Sequence, residues 1–529
     1  MGGAASVKLK EIDLSTRVAT FEGVYGAIVI PAKKGQLNKP SLVTSDTQFL
    51  ARYTPDGSVK VGYDLSYFSA LAYLERSNKL QVQRVANGAH FAGCMIQKVG
   101  STDANAGLGS GANVVDPTAH VFTADEVLFI YAANEGAWGN DIKIKIETIT
   151  ANPDLIEENS FKISVYKSSN LSSPLETFLV SRVMGQKDGR GRNMFVEDVL
   201  ESSSYIRAIS NPAIDDTTLP KEVSTALALA DGNDGSAVTD ANMIAAANKF
   251  ANRSQVSVTI LMDGGYSVPA YQLALDAIAQ SRQDCVAILT TPYASEVDAD
   301  YLNAIITYRK TTLNMNSSYS ALYTPHLKIA DRFNDRNLWI APDGHVAGSI
   351  SFSANNYEIW YPAAGFKRGV LNVLDVAQRF SDGELDSLYN AGINPVKFAP
   401  GKGIVVWGQK TLLSRASALD RLNVRLLLIV IEPAIRDLLE NFLFELNDTA
   451  TRSIIATKLE SYLEGIKARK GVTDFAVVCD ETNNTPTDID NNRLNVDVYV
   501  KPSLSIEEIP VRVVITPNNI SFADAAGAV

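Results

Sequence analysis

Residues 256–292 read VSVTILMDGGYSVPAYQLALDAIAQSRQDCVAILTTP: an apolar run at 256–262, a Gly-Gly turn, a Pro-initiated helical stretch at 269–282, and a second apolar run at 285–292. Short apolar runs bounded by turn residues and joined by an amphipathic helix are the pattern of a strand, helix, strand unit. A further helix is predicted after Thr239, so from about Leu227 onward the chain reads as alternating strands and helices. That order implies a parallel α/β sheet.

Upstream the texture differs. Residues 1–22 contain a short alternating stretch, with Val7, Leu9 and Glu11 on one side and Lys8, Lys10 and Ile12 on the other. It reads as a lone strand on an arm. From Val24 follow a strand (GAIVIP), a turn-rich loop at 33–40, amphipathic helices around 46–53 and 65–77, and a strand, LQVQRV, closing at Val85. Residues 100–116 are rich in Gly, Ala, Ser and Asn and are expected to form a flexible linker. Between 121 and about 213 strands dominate; in DIKIKIETI, Ile142, Ile144 and Ile146 alternate with polar residues, the mark of a half-solvated sheet.

Downstream, the strand GIVVWG precedes a helical region expected at 414–447 with a break at Pro433, then a second helix at 451–470. Two strand candidates follow, LNVDVYVKP from Leu494 and IPVRVVITP from Ile509. Each has one apolar face, and each therefore needs a packing partner.

With 529 residues, 46% hydrophobic and 20% charged, the chain has the composition of a folded multidomain protein. A net charge of −11 builds in no general attraction to nucleic acid or anionic membrane. Cys94, Cys285 and Cys479 are few, distant and odd in number, against a disulfide framework. MGGAASVKLKEID lacks the apolar stretch of a signal peptide, and the most apolar run, 426–431, is too short to span a bilayer, so an unprocessed soluble chain is expected.

Chemical motifs fail on register. GIVVWGQKT, 403–411, departs from a phosphate-binding loop because Gln409 separates the second Gly from Lys410. DIDNNR, 488–493, begins like a calcium loop but has Arg493 at the position of the turn Gly and Tyr499 at that of the bidentate Glu. Asp263-Gly264-Gly265 follows a strand end, where open α/β sheets bind ligands, yet reads better as a turn. The four histidines, 90, 120, 326 and 345, show no paired ligand spacing, and His345 in PDGHVAG reads as a loop residue. No catalytic, cofactor-binding or metal residue is assigned.

Several segments, in order along nearly the whole chain, resemble the contractile bacteriophage tail sheath family. They are GVYGAIVIPAKKGQLNKPSLVTSDTQFLARY from Gly23, AANEGAWGNDIKI from Ala132, DGRGRNMFVEDV at 188–199 and LADGNDGSAVTD at 229–240. The most specific are AGINPVKFAPGKGIVVWGQKTL from Ala391, LDRLNVRLLLIVIEPAI from Leu419 and FLFELND. Where sheath relatives commonly carry two adjacent basic residues, this chain has Arg425 followed by Leu426.

The resemblance implies a structural subunit, not an enzyme, that polymerises around a tail tube and contracts. A sheath of a non-phage contractile injection system is the alternative, and an α/β hydrolase a remote one. The fold expected is α+β multidomain: an arm at 1–22, an α/β unit at 23–99, a mainly-β outer insertion at 100–225, an α/β sheath domain at 226–385, a tube-facing C-terminal core at 386–507, and an arm at 508–529. The arms would lend strands to neighbours through Val7, Leu9 and Ile12 and through Ile509, Val511, Val513 and Ile515. Arg452, Lys458, Lys467, Arg469 and Lys470 are candidates to face the tube, since cations accumulate there in an acidic chain. Implied partners are other copies, the tail tube, and baseplate and terminator proteins, in a virion tail assembled in the host cytoplasm, with no cofactor, direct nucleic-acid contact or membrane anchor.

Overall fold

The computed structural model describes residues 23–109, 111, 114–148, 158–507 and 509–510. The chain divides into two compact units between Leu443 and Phe444. The first is built on a nine-stranded sheet with the spatial order Val370–Leu371, Gly403–Val406, Ile393–Ala399, Ser320–Thr324, Val286–Thr290, Ile260–Met262, Gly26–Ile30, Leu80–Arg84 and Ser41–Val43. The six strands from Ile393–Ala399 through Leu80–Arg84 are parallel, and antiparallel pairs complete both ends.

Ile260–Met262 and Val286–Thr290 are parallel neighbours connected by the helix Pro269–Arg282, as the reading of 256–292 requires. The first strand is shorter than its apolar run because Val256 N–H bonds back to the Asn252 carbonyl in a turn. Gly26–Ile30, expected in a separate unit at 23–99, instead lies in the middle of this sheet, between Ile260–Met262 and Leu80–Arg84. All five of its residues are buried, which demands a neighbour on each edge and cover on each face. Ala27, Val29, Leu261, Ala287 and Leu289 point to one side, against Met243, Ala247, Leu275 and Ala279 of the helices Asp240–Ala247 and Pro269–Arg282.

The helices Ser66–Leu74 and Asp343–Asn356 pack on each other and on the sheet. They touch so closely at Gly344 that an added Cβ would lie 2.1 Å from the Ser69 carbonyl oxygen. His345 therefore sits in a helix and not in a loop, only 5% exposed. Pro-Asp-Gly, which spells a turn in isolation, here starts a helix, with Pro342 at the cap and Asp343 in the first turn. Burial, with Arg76 nearby, lowers the His345 imidazole to about 4, keeping it neutral.

The β-rich insertion is two four-stranded sheets sharing one apolar core. Ile142, Ile144 and Ile146 face that core while their neighbours stay part-exposed. Its strands extend from Gly93–Gln97 to Val223–Ala228, beyond 100–225 at both ends, because Gly93–Gln97 pairs with Glu126–Ala132. The stretch expected as a linker contributes Ala106–Gly107 to the same sheet.

Pro433 does not break its helix, which runs from Leu422 to Glu440. Ile429, Ile431, Ala434 and Leu438 are buried on both sides of the proline, and that burial outweighs the lost backbone hydrogen bond. The second unit contains the helix Thr449–Ala468, capped by Asp448 accepting from Thr451 N–H at 2.7 Å, and an antiparallel hairpin of Val472–Val478 with Asp497–Pro502. Among the described residues no helix is long and apolar enough to cross a membrane.

Candidate functional site

Open α/β sheets present ligand sites at the carboxyl ends of their parallel strands. Asp263, just past Met262, is fully buried there. Its carboxylate accepts from Thr290 N–H at 2.7 Å, the Thr290 hydroxyl at 2.9 Å, Gln272 Nε2 at 2.7 Å and Gly265 N–H at 3.1 Å. Asp343, also fully buried, accepts from Ser69 Oγ at 2.8 Å and from Gly264 N–H at 2.8 Å. Glu296 accepts from His326 N–H and Thr291 Oγ1, both at 2.7 Å, and faces the His326 ring. A cavity of about 160 Å³ adjoins these groups, lined in part by Asp64, Asp263, Tyr266 and His326.

Their oxygens are taken up by backbone N–H groups and hydroxyls from different elements, so the three carboxylates clamp strand ends to helices. Among the described residues no hydroxyl or thiol nucleophile is paired with the His326 ring, and no group of three or more His, Cys, Asp or Glu could hold a metal ion. Asp263-Gly264-Gly265 does form the expected turn, with φ of +66° and +80° at the glycines. The buried pairing of Asp263 with Asp343, 80 residues apart, had no sequence signal.

Burial and the neighbouring Asp263 charge push the Asp343 carboxyl up to about 7. Between roughly pH 4 and 7 the folded protein therefore holds a proton that the unfolded chain has released. The stability this contributes is present in acid and lost as pH rises through 7. Asp343→Asn keeps an acceptor but cannot ionise, so wild type should lose about 2 kcal/mol relative to this variant between pH 5 and pH 8. Paired urea titrations across that range check it; parallel profiles would refute it.

The second unit offers a different kind of site. Val472–Val478 and Asp497–Pro502 pair with each other, and no other described strand joins either outer edge. A two-stranded ribbon is marginal alone, and its unpaired N–H and C=O groups are a template for another strand. Ile509 is 74% exposed beyond the hairpin. Val7, Leu9, Ile12, Val511, Val513 and Ile515 lie outside the described residues.

The five cations singled out here do not share one face. Arg452 is buried with Ile455, Leu459, Leu463 and Ile466 on the inner side of Thr449–Ala468. Lys467 faces Asp474 at 3.8 Å, Lys458 is half-buried, and Arg469 and Lys470 are exposed at the helix end. The hydrophilic loop 479–496 is tied down by amides, including Asn484 Nδ2 to the Asn495 carbonyl at 3.0 Å and Asn495 N–H to Asn484 Oδ1 at 2.7 Å. Its segment 486–490 forms a short helix capped by Thr485, not a calcium loop.

Residues 209–412 match the family model of the phage tail sheath protein central domain, and residues 414–516 that of the phage tail sheath C-terminal domain. The chain is 32% identical over 385 residues to the tail sheath protein of Vibrio phage KVP40, covering 66% of this chain and 55% of that protein. It is 31% identical over 373 residues to the tail sheath protein of Enterobacteria phage T4, covering 67% and 56%. It thus spans little more than half the length of these curated relatives. The crystal structure of the sheath tail protein from Desulfitobacterium hafniense has the same fold at 15% identity, with a TM-score of 0.55 over 96% of this chain and 99% of that one.

Proposed function

The chain belongs to the contractile phage tail sheath family, and we propose on that premise that it polymerises helically around a tail tube and contracts to drive the tube through a host envelope. The observation that carries this reading is the two-stranded ribbon of the second unit, with both outer edges unpaired by any described strand. The stretches 7–12 and 509–516 are the strands that would fill such edges on neighbouring copies, gaining main-chain hydrogen bonds by strand addition. A contact of this kind is heterologous, and one that does not close into a ring propagates as a helix.

Contraction then needs two packings of the same rigid bodies, with the terminal segments keeping copies joined as the bodies move. The C-terminal core faces the tube, where of the five cations the exposed Arg469 and Lys470 can supply local positive charge, and the β-rich insertion projects outward. Tail tube, baseplate and terminator proteins are the partners, in a virion tail assembled in the host cytoplasm. No catalytic residue, cofactor, nucleic acid or membrane anchor enters this mechanism. Electron microscopy of the purified protein tests it: long hollow tubes are expected, and a stable closed oligomer at high concentration would overturn it.

A further inference from the structure

The helices Ser66–Leu74 and Asp343–Asn356 and the strand Leu327–Asp331 border a cavity of about 370 Å³ in the first unit. It shares no lining residue with the smaller cavity beside Asp263. Phe68, Leu71 and Ala72 give it a buried apolar wall, which Ile329 and Phe333 extend. The rings of Phe68 and Phe333 lie 6.4 Å apart, tilted by 52°. Leu374 and Arg332, both well exposed, also line it, so the cavity opens to solvent and a ligand can enter. Its volume and mostly apolar lining are those of a small-molecule site.

His345 adds a polar group to this lining while remaining 5% exposed. Its ring makes no hydrogen bond among the described residues, and Nδ1 is sealed from solvent without a partner. Burial and the nearby Arg76 charge keep the imidazole neutral, so one ring nitrogen donates and the other accepts. A buried polar group left unpaired carries a desolvation penalty that an incoming partner relieves. The close approach of the two helices at Gly344 fixes the turn that carries His345, so the ring is held in place before any ligand arrives.

The charges around the cavity cancel. Arg332 pairs with Asp46 at 3.0 Å, and Glu75, the other acid in the lining, is offset by Arg76. Neither a cation nor an anion gains by entering. We propose that this cavity is a binding site for a small uncharged phenol-class molecule, its ring packed on Phe68, Leu71, Ile329 and Phe333 and its hydroxyl hydrogen-bonded to the His345 imidazole. A hydroxyl both donates and accepts, so it pairs with either tautomer of the ring. An aromatic ring suits the two tilted phenylalanines, against which it packs edge to face or offset. The assignment is independent of strand addition by the chain ends.

Calorimetric titration of the full-length chain with p-cresol and toluene tests it. The ratio of p-cresol to toluene affinity should fall about fivefold in His345→Phe, which keeps the ring shape and removes the hydrogen bond. An unchanged ratio overturns the role of His345. Ile329→Trp, which fills the cavity from its part-exposed wall, should abolish binding of both probes, and binding that survives it places the ligand elsewhere. The charged analogues p-toluate and 4-methylbenzylammonium should bind about fivefold or more weakly than p-cresol, and a tighter fit for either overturns the ligand class. If His345→Phe does not fold, as judged by circular dichroism, the wild-type chain decides. It has four histidines, so a spectrum of ring nitrogens labelled with 15N is sparse. There p-cresol should move one imidazole and toluene none, and an imidazole indifferent to p-cresol overturns the proposal.

Discussion

Removal of residues 1–20, or of 508–529, should abolish tube formation while leaving a folded monomer. The described core begins after the first deletion, at Val24 and the strand Gly26–Ile30, and the second hairpin strand ends at Pro502, before the other. Neither deletion removes an observed sheet strand. What each removes, on the strand-addition reading, is a row of main-chain hydrogen bonds between copies, and a helical lattice that loses one of its two continuous links cannot propagate. The effect should be all-or-none in negative-stain images, with sedimentation showing monomer and circular dichroism showing unchanged secondary structure. Normal tubes from either truncation would sink the role assigned to the ends.

The second large effect concerns the fold itself. Gly344→Ala should destabilise the first unit by about 3 kcal/mol or more, although Ala in a helix is ordinarily favoured over Gly by about 1 kcal/mol. The new methyl would meet the Ser69 carbonyl oxygen at 2.1 Å and its carbon at 2.7 Å, both backbone atoms of a packed helix. Relief requires the two helices to separate, which also stretches the buried 2.8 Å bond from Ser69 to Asp343. Denaturant melts give the sign directly: a neutral or stabilising substitution would show that the helices have room to shift.

Much of the local structure was legible in residue order. The strand, helix, strand reading of 256–292, the alternation of Ile142, Ile144 and Ile146, and the presence of a helix over 451–470 follow from local sequence pattern, because a side chain's face is set by backbone geometry over a few residues. Family membership was likewise legible, from ordered segments spread along the chain.

Periodicity does not say which element packs on which. Only the tertiary structure placed Gly26–Ile30 beside Ile260–Met262, more than 200 residues away, and so merged two units expected to be separate. It kept Pro433 inside a helix, because flanking apolar burial outweighed one lost hydrogen bond, and it put His345 in a packed helix despite a turn-like neighbourhood. It also brought Asp263 to Asp343 and withdrew Arg452 from solvent. The physical reason is common to these cases. Local propensity amounts to tenths of a kcal/mol per residue, whereas burial and long-range pairing contribute whole kcal/mol and depend on residues far away in the chain.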